Sequence, residues 1–234
     1  MTHTWMKVKG LRRLARELIA ANPGTLRPEL IDAFLDHLEA SYTIAADAVA
    51  LITERYPFMQ QYLRAEEIAL AAGLHDIGRP LDADQLFHEL RGAAFVEAQG
   101  LALGLAPTRE DVHRLAQMMR PHFVVAEQYA DEANAAARAR LAPLDPTLLI
   151  PRTWPEAIVV YAELRNVNGR RVSIETRIAD IQKRYPPDSR DGFSASLARA
   201  MQAGLPRVSA TCARVQRLID GHLPAPEVAR YGFL

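Results

Sequence analysis

The chain has 234 residues, 49% of them hydrophobic, and its 28 basic and 28 acidic residues cancel to a formal net charge of zero. That length can bury a substantial core, and the charge balance argues against a protein that holds nucleic acid through a basic stripe. A single cysteine, Cys212, excludes an internal disulfide and a thiolate metal cluster, so any metal held here would rest on histidines and carboxylates. No run of about 18 apolar residues reads as a membrane span. Residues 1–10 lack the continuous apolar stretch of a secretory signal. The expectation is a soluble cytoplasmic protein.

In chain order the sequence reads as helix after helix, with no strict apolar alternation to suggest strands. A first helix is expected over 5–21, ended by Asn22-Pro23-Gly24. Pro28 suits the first turn of a long second helix reaching about Tyr56, whose apolar positions include Leu30, Phe34, Leu38, Ile44 and Ala48. His37, three after Phe34, falls near that buried stripe. A third helix over about 60–76 ends in His75-Asp76, with Gly78 and Pro80 as breakers. Asp84 suits the N-cap of a fourth helix carrying His88. Thr108 and Asp111 have capping-box spacing and open a fifth, interrupted by Pro121 just before His122. Residues 129–150 read as a helix and a surface connection. Thr153-Trp154-Pro155-Glu156 is a strong start for the apolar segment "AIVVYAELR". Ser173 opens another helix that Pro186-Pro187 ends, and a last helical region, 189–221, is expected to divide at Gly204 and Pro206. There is no repeat and no linker, which favours one all-α domain over 1–234.

The candidate ligands, in order, are His37, His75, Asp76, His88, His122 and a late carboxylate. Imidazole and carboxylate suit Mn, Fe, Co, Ni, Zn or Mg. Adjacent ligands at a helix end can both reach one ion, and ligands on several helices would put that ion in a bundle core. Any one of these histidines alone could instead be a core or surface residue bonded to a nearby carbonyl. His113, His222 and His3 read as surface residues, the mixed charges of 127–140 as a solvated face, and Trp5, Trp154 and Cys212 as packing.

The order of these residues resembles the HD-domain phosphohydrolase superfamily. "AGLHDIGRP" is similar to its His-Asp motif with the following glycine and basic residue. His37 resembles the preceding histidine, and "FHELRGAAF" the dinuclear-subfamily segment in which a third histidine precedes Gly92-Ala93. "MMRPHF" supplies a fourth histidine, His122. "VVYAELR" resembles the late helix, whose usual Ala-Asp is here Ala162-Glu163; Asp180, in "RIADIQKRY", is the alternative, with Glu163 favoured for its apolar approach. The resemblance covers about residues 30–185 and leaves a C-terminal helical extension of about 189–234. It implies an all-α HD-type bundle with one or two divalent ions. His37, His75 and the late carboxylate would hold one ion, His88 and His122 the other, and Asp76 would bridge. The implied activity is cleavage of a phosphate ester or anhydride in a small, nucleotide-like substrate by metal-bound hydroxide. Arg79 and Arg120 are the first choices for substrate phosphate, Arg91 and Arg165 the weaker ones. The guanosine tetraphosphate hydrolase branch carries acidic residues where this chain has Ile77-Gly78-Arg79-Pro80, and the Gly-Tyr-Pro text of the cyclic-dinucleotide branch is absent. The pattern is closer to the small dinuclear group acting on dinucleoside polyphosphates or nucleotides. The change from Asp to Glu at position 163 keeps open a catalytically weak or inactive HD-fold ligand sensor or interaction protein.

Overall fold

The computed structural model describes residues 5–190 and 192–230; His3 lies outside them. The fold is all-α. Among the described residues there are eleven α-helices: α1 (Val8–Ala21), α2 (Ile31–Arg55), α3 (Ala65–Leu74), α4 (His88–Gln99), α5 (Arg109–Met119), α6 (Val125–Ala130), α7 (Ala135–Arg138), α8 (Trp154–Leu164), α9 (Ile174–Arg184), α10 (Gly192–Ile219) and α11 (Ala225–Arg230). No helix is long and apolar enough to cross a membrane.

The centre of the bundle is α8. Its capping box, Thr153 with Glu156, and Pro155 in the first turn start the helix sharply. All eleven of its residues are buried, because α2, α3, α5 and α10 pack around it. A helix apolar on every side, as "AIVVYA" is, can be stable only when surrounded in this way. The Trp154 indole donates to the Val228 carbonyl at 2.8 Å, fastening α11 to the start of α8. Thr108 and Asp111 form the expected capping box of α5.

Several elements depart from the sequence pattern. The third helix is shorter than expected: Pro57–Gln61 forms a 3₁₀ turn, α3 begins only at Ala65, and His75-Asp76 falls in the turn just past its end. Asp84 does not cap α4. Its carboxylate accepts from the Leu86 N–H at 3.0 Å while its own N–H donates to Asp82, so the two aspartates build a turn, the competing use of a short carboxylate. The N-cap position belongs to Phe87, at φ +61°.

Gly204 and Pro206 do not divide the last region, and α10 runs through both. Tertiary contacts override the breakers. Glu127 occupies the space a side chain at 204 would need, its Cδ 2.6 Å from where a Cβ would stand. Arg207, one residue beyond the proline, grips the same carboxylate with two bonds of 2.8 and 2.9 Å. Buried Met201, Val208, Cys212, Val215 and Leu218 hold both halves of α10 in the core.

A two-stranded hairpin, β1 (Asn166–Val167) with β2 (Arg170–Arg171), was not expected. Its signal was the Asn168-Gly169 pair, whose φ values of +47° and +83° are those a tight two-residue turn demands.

Candidate metal centre

His37 comes from the second turn of α2, where Asn166 of the hairpin holds it: the Asn166 amide donates to the His37 carbonyl at 2.7 Å and to Ser41 Oγ at 2.9 Å. His75 and Asp76 follow α3, and the turn after them is pressed against α4. That approach requires glycine on both sides. A Cβ at Gly78 would stand 1.8 Å from the His88 carbonyl oxygen, and one at Gly92 would stand 2.9 Å from the Gly78 nitrogen. The glycine contact brings His88 Nε2 to 2.7 Å from Asp76 Oδ1. His122 arrives from the turn after α5, and Glu163 from the last turn of α8. All six side chains are buried. Phe87 and Phe123, next to His88 and His122, both have positive φ, a costly backbone state for a bulky residue.

The donor atoms converge. His37 Nε2 lies 3.1 Å from His75 Nε2 and 2.9 Å from Glu163 Oε2, and His75 Nε2 lies 3.2 Å from that same oxygen. Asp76 stands 3.8 Å from each of these two histidines and 4.0 Å from His122 Nε2. Two overlapping sets, His37-His75-Asp76 and His75-His122-Glu163, could hold a metal ion. Metal–nitrogen bonds of about 2.0–2.1 Å put neighbouring ligands roughly 2.8–3.4 Å apart in octahedral or tetrahedral coordination. The His37–His75–Glu163 edges fall at or near that spacing.

The tautomers point the same way. His75 Nδ1 donates to the Ala72 carbonyl, and His88 Nδ1 donates to the Gln85 carbonyl at 2.8 Å. A neutral imidazole so bonded presents its Nε2 lone pair to the centre, the orientation that outer hydrogen bonds impose on metal-binding histidines. The His75 lone pair then faces the His37 ring nitrogen and the Glu163 carboxylate oxygen, a contact that a shared proton or a metal ion relieves. Glu163 Oε2, Glu89 Oε2 and both ring nitrogens of His122 are buried and have no hydrogen-bond partner. The residues present therefore fit a divalent ion.

Without an ion, protons and arginines balance the charge. Burial works to lower the His75 pKa, but Asp76 and then Glu163 outweigh it and raise it. Burial would raise both carboxylates, yet Arg79 and then His75 hold Asp76 well below the usual range, and Arg177 and then His37 do the same for Glu163. His122, stacked on His75 at 4.8 Å with the rings 14° apart, is lowered to about 4 by burial first and by His75 second.

Of the predicted residues, the structure brings His37, His75, Asp76, His88, His122, Glu163 and Arg79 together. His88 joins neither of the two sets and instead contacts Asp76 directly. Arg79 Nε donates to Asp76 Oδ2 at 2.7 Å, and its side chain, 25% exposed beside the 7% of Asp76, reaches toward solvent. Arg120 is not brought into the cluster: it donates to Glu97 at 2.6 Å. Arg91 binds the Leu86 and Asp84 carbonyls, and Arg165 lies over the Tyr161 ring. Asp180 stands behind Arg177, accepting its Nη1 at 3.1 Å, while Arg177 Nη2 donates to Glu163 Oε1. Of Glu163 and Asp180, it is Glu163 that stands inside the cluster.

Sequence reasoning missed Arg177 and Glu89. Both had a signal. Arg177 lies between Ile174 and Ile181 at spacings of three and four, and Glu89 shares the spacing of Gly92, Ala93 and Val96. Each is a charge on a buried helical stripe.

No family model matches the chain, and no curated protein or solved structure matches it either. The arrangement of these side chains is what speaks for their chemistry.

Proposed function

We propose that this protein is a metal-dependent phosphohydrolase of the HD type, cleaving a phosphate ester or anhydride in a small, nucleotide-like substrate. The observation that carries the reading is the convergence of His37, His75 and Glu163 donor atoms at 2.9–3.2 Å, beside Asp76 and Arg79. A divalent ion bound there supplies an activated water at neutral pH and polarises a phosphoryl oxygen.

The chain's own residues do the rest. His37, His75, Asp76 and Glu163 would hold the ion, with the His122 ring stacked on that of His75 beside them. His75 binds through Nε2 only as the neutral ring, so a proton and the ion compete for that nitrogen. Arg79 fixes Asp76 through Nε and reaches Gln85 Oε1 through Nη1 at 3.4 Å, and its partly exposed guanidinium can neutralise a phosphoryl group. Phe193 flanks this arginine at 6.0 Å and meets the His88 ring edge-on at 6.1 Å, an apolar contact beside the cluster. Arg177 keeps Glu163 ionised from behind. Against the inactive-sensor reading stands the fit of Glu163: its extra methylene is taken up by the bond to Arg177, and Oε2 still meets both histidines.

The test is a screen of purified protein, supplemented with each candidate divalent ion, against nucleoside mono-, di- and polyphosphates. Hydrolysis lost in Asp76→Ala supports the proposal. A protein that binds no metal, is inert in every condition and is unchanged by His37→Ala would sink it.

A further inference from the structure

Phe193, whose ring meets His88 and Arg79, also lines a cavity of about 580 Å³ outside the cluster. The cavity lies between the start of α10, the α7 region and the turn before α4, and its size is that of a small-ligand site. Arg140, Arg190 and Arg199 line it, against one lining carboxylate, Asp84. Arg140 pairs with Asp84 and Arg199 with Asp131, but each pair engages a single nitrogen, and the two arginine side chains are 63% and 47% exposed. A guanidinium carries five N–H donors, so most of each stays available to another acceptor. Among the described residues Arg190 has no ion-pair partner.

The backbone adds to the same field. Gly192 and Ala195, in the first turn of α10, line the cleft, and a 28-residue helix brings the positive end of its dipole there. Three guanidinium groups around one space repel one another, and an anion that they share relieves the repulsion. Their planar forks match the oxygens of a phosphate in pairs. Small side chains on α7, Ala136 and Ala137, leave room for it. Arg190, Phe193 and Arg199 lie beyond the residues that the resemblance covers, and Arg140 closes a stretch that reads in sequence as a solvated face.

We propose that this cleft binds a phosphate-type anion and receives the part of the substrate beyond the scissile phosphate. The substrate class is then a molecule with two or more anionic groups, such as a nucleoside di- or triphosphate, rather than a simple monophosphate ester. Arg79, on one side of Phe193, would meet the scissile group, and the arginines of the cleft would meet the rest. The part played in substrate binding rests on the phosphohydrolase reading above; the anion site itself does not.

The probe is inorganic triphosphate, titrated by calorimetry into the protein as purified and into variants checked for folding by circular dichroism. Wild type is expected to bind it, more weakly as salt rises. Arg190→Glu and, separately, Arg140→Gln are each expected to weaken binding about tenfold. Arg13→Glu, on α1 and outside the cleft, makes the same charge change as Arg190→Glu and is expected to stay within about twofold of wild type. His37→Ala, which removes a ligand of the metal centre, should leave triphosphate binding in place. In the hydrolysis screen, Arg190→Glu should raise KM for a nucleoside triphosphate by a similar factor. It should not change kcat/KM for p-nitrophenyl phosphate, which has no second anionic group to place in the cleft. The proposal is overturned by triphosphate that fails to bind at about 1 mM, that binds Arg190→Glu and Arg140→Gln as it binds wild type, or that is weakened as much by Arg13→Glu. Binding lost in folded His37→Ala would put the anion at the metal centre and overturns it as well. The expected variant effects without hydrolysis of any phosphate would remove the phosphohydrolase reading and leave the cleft as an anion site. Hydrolysis of nucleoside triphosphates with KM unmoved by Arg190→Glu would keep that reading and overturn the part given to the cleft.

Discussion

Arg177 offers the sharpest test of how the cluster is held together. Its side chain is 9% exposed and that of Glu163 is 5% exposed, so Arg177→Met leaves a carboxylate buried with its strongest cationic partner gone. Breaking a buried ion pair by removing one member costs about 3–5 kcal/mol. Part of that is recovered here, because His37 and His75 still face Glu163 Oε2. The bond to Asp180 adds little, since that carboxylate is 30% exposed. We expect a loss of about 2–4 kcal/mol in the metal-free protein, a fall in Tm of about 5–15 °C for a chain of this size. Removing the stranded charge should reverse much of it: Arg177→Met with Glu163→Gln is expected to be more stable than Arg177→Met alone, with a coupling of at least about 1.5 kcal/mol. Chemical denaturation in chelator gives all four corners of the cycle. Repeating it with saturating Zn²⁺ should shrink the Arg177→Met penalty, because an ion then compensates Glu163 from the other side. A single-variant loss below about 1 kcal/mol with no coupling would refute the idea that Arg177 keeps Glu163 charged.

Gly78→Ala would put a Cβ 1.8 Å from the His88 carbonyl, and backbone cannot swing aside; a loss of about 3 kcal/mol or more is expected, with weakened metal binding. Gly192→Ala, with open space around it, serves as the neutral control in the same melts. The metal-free protein should be most stable near pH 6.5. His122, lowered from 6.5 to about 4, leaves the unfolded chain binding the extra proton between those values, so stability falls as pH drops through that window. His75 is raised, so its contribution is full below 6.5 and lost as pH rises through its folded value. His122→Gln should flatten the acid limb and His75→Gln the alkaline one; unchanged limbs in pH-resolved denaturation would refute the assignment. Metal affinity should weaken as pH falls, with proton uptake on chelation, because the ion competes for His75. Cys212, wholly buried and with its thiol pushed up to about 12, should stay inert to a thiol reagent at pH 8 until denaturant unfolds the chain.

What could be read in the sequence was what local chemistry decides. Capping boxes at Thr108 and Thr153 and the apolar run of α8 depend on residues within a few positions of one another, and they form as their spacing dictates. So does the delivery of His75-Asp76 at a helix end. What could not be read depends on contacts distant in the chain. Gly204 and Pro206 look like a break, yet Glu127, some 80 positions earlier, fills the space above the glycine and binds Arg207. Arg120 looked like a site residue through its nearness to His122, but Glu97 across the α4–α5 pair engages it.

Glu163 shows where the two kinds of information meet. Its position at the end of a buried helix was legible, and so was the question its extra methylene raised. The answer lies in Arg177 on α9. A longer carboxylate can reach two directions at once, one oxygen to the arginine and the other to His37 and His75. A shorter aspartate on the same backbone would have to give up one of these contacts or pull α8 inward against a helix already packed on all sides. The glutamate and the buried arginine are thus a matched pair, and exchanging Glu163 for Asp is expected to weaken metal binding and stability together rather than to restore a better site. Equal or tighter Zn²⁺ binding by Glu163→Asp, with its melting temperature unchanged, would show that Arg177 plays no part in setting the length of the ligand.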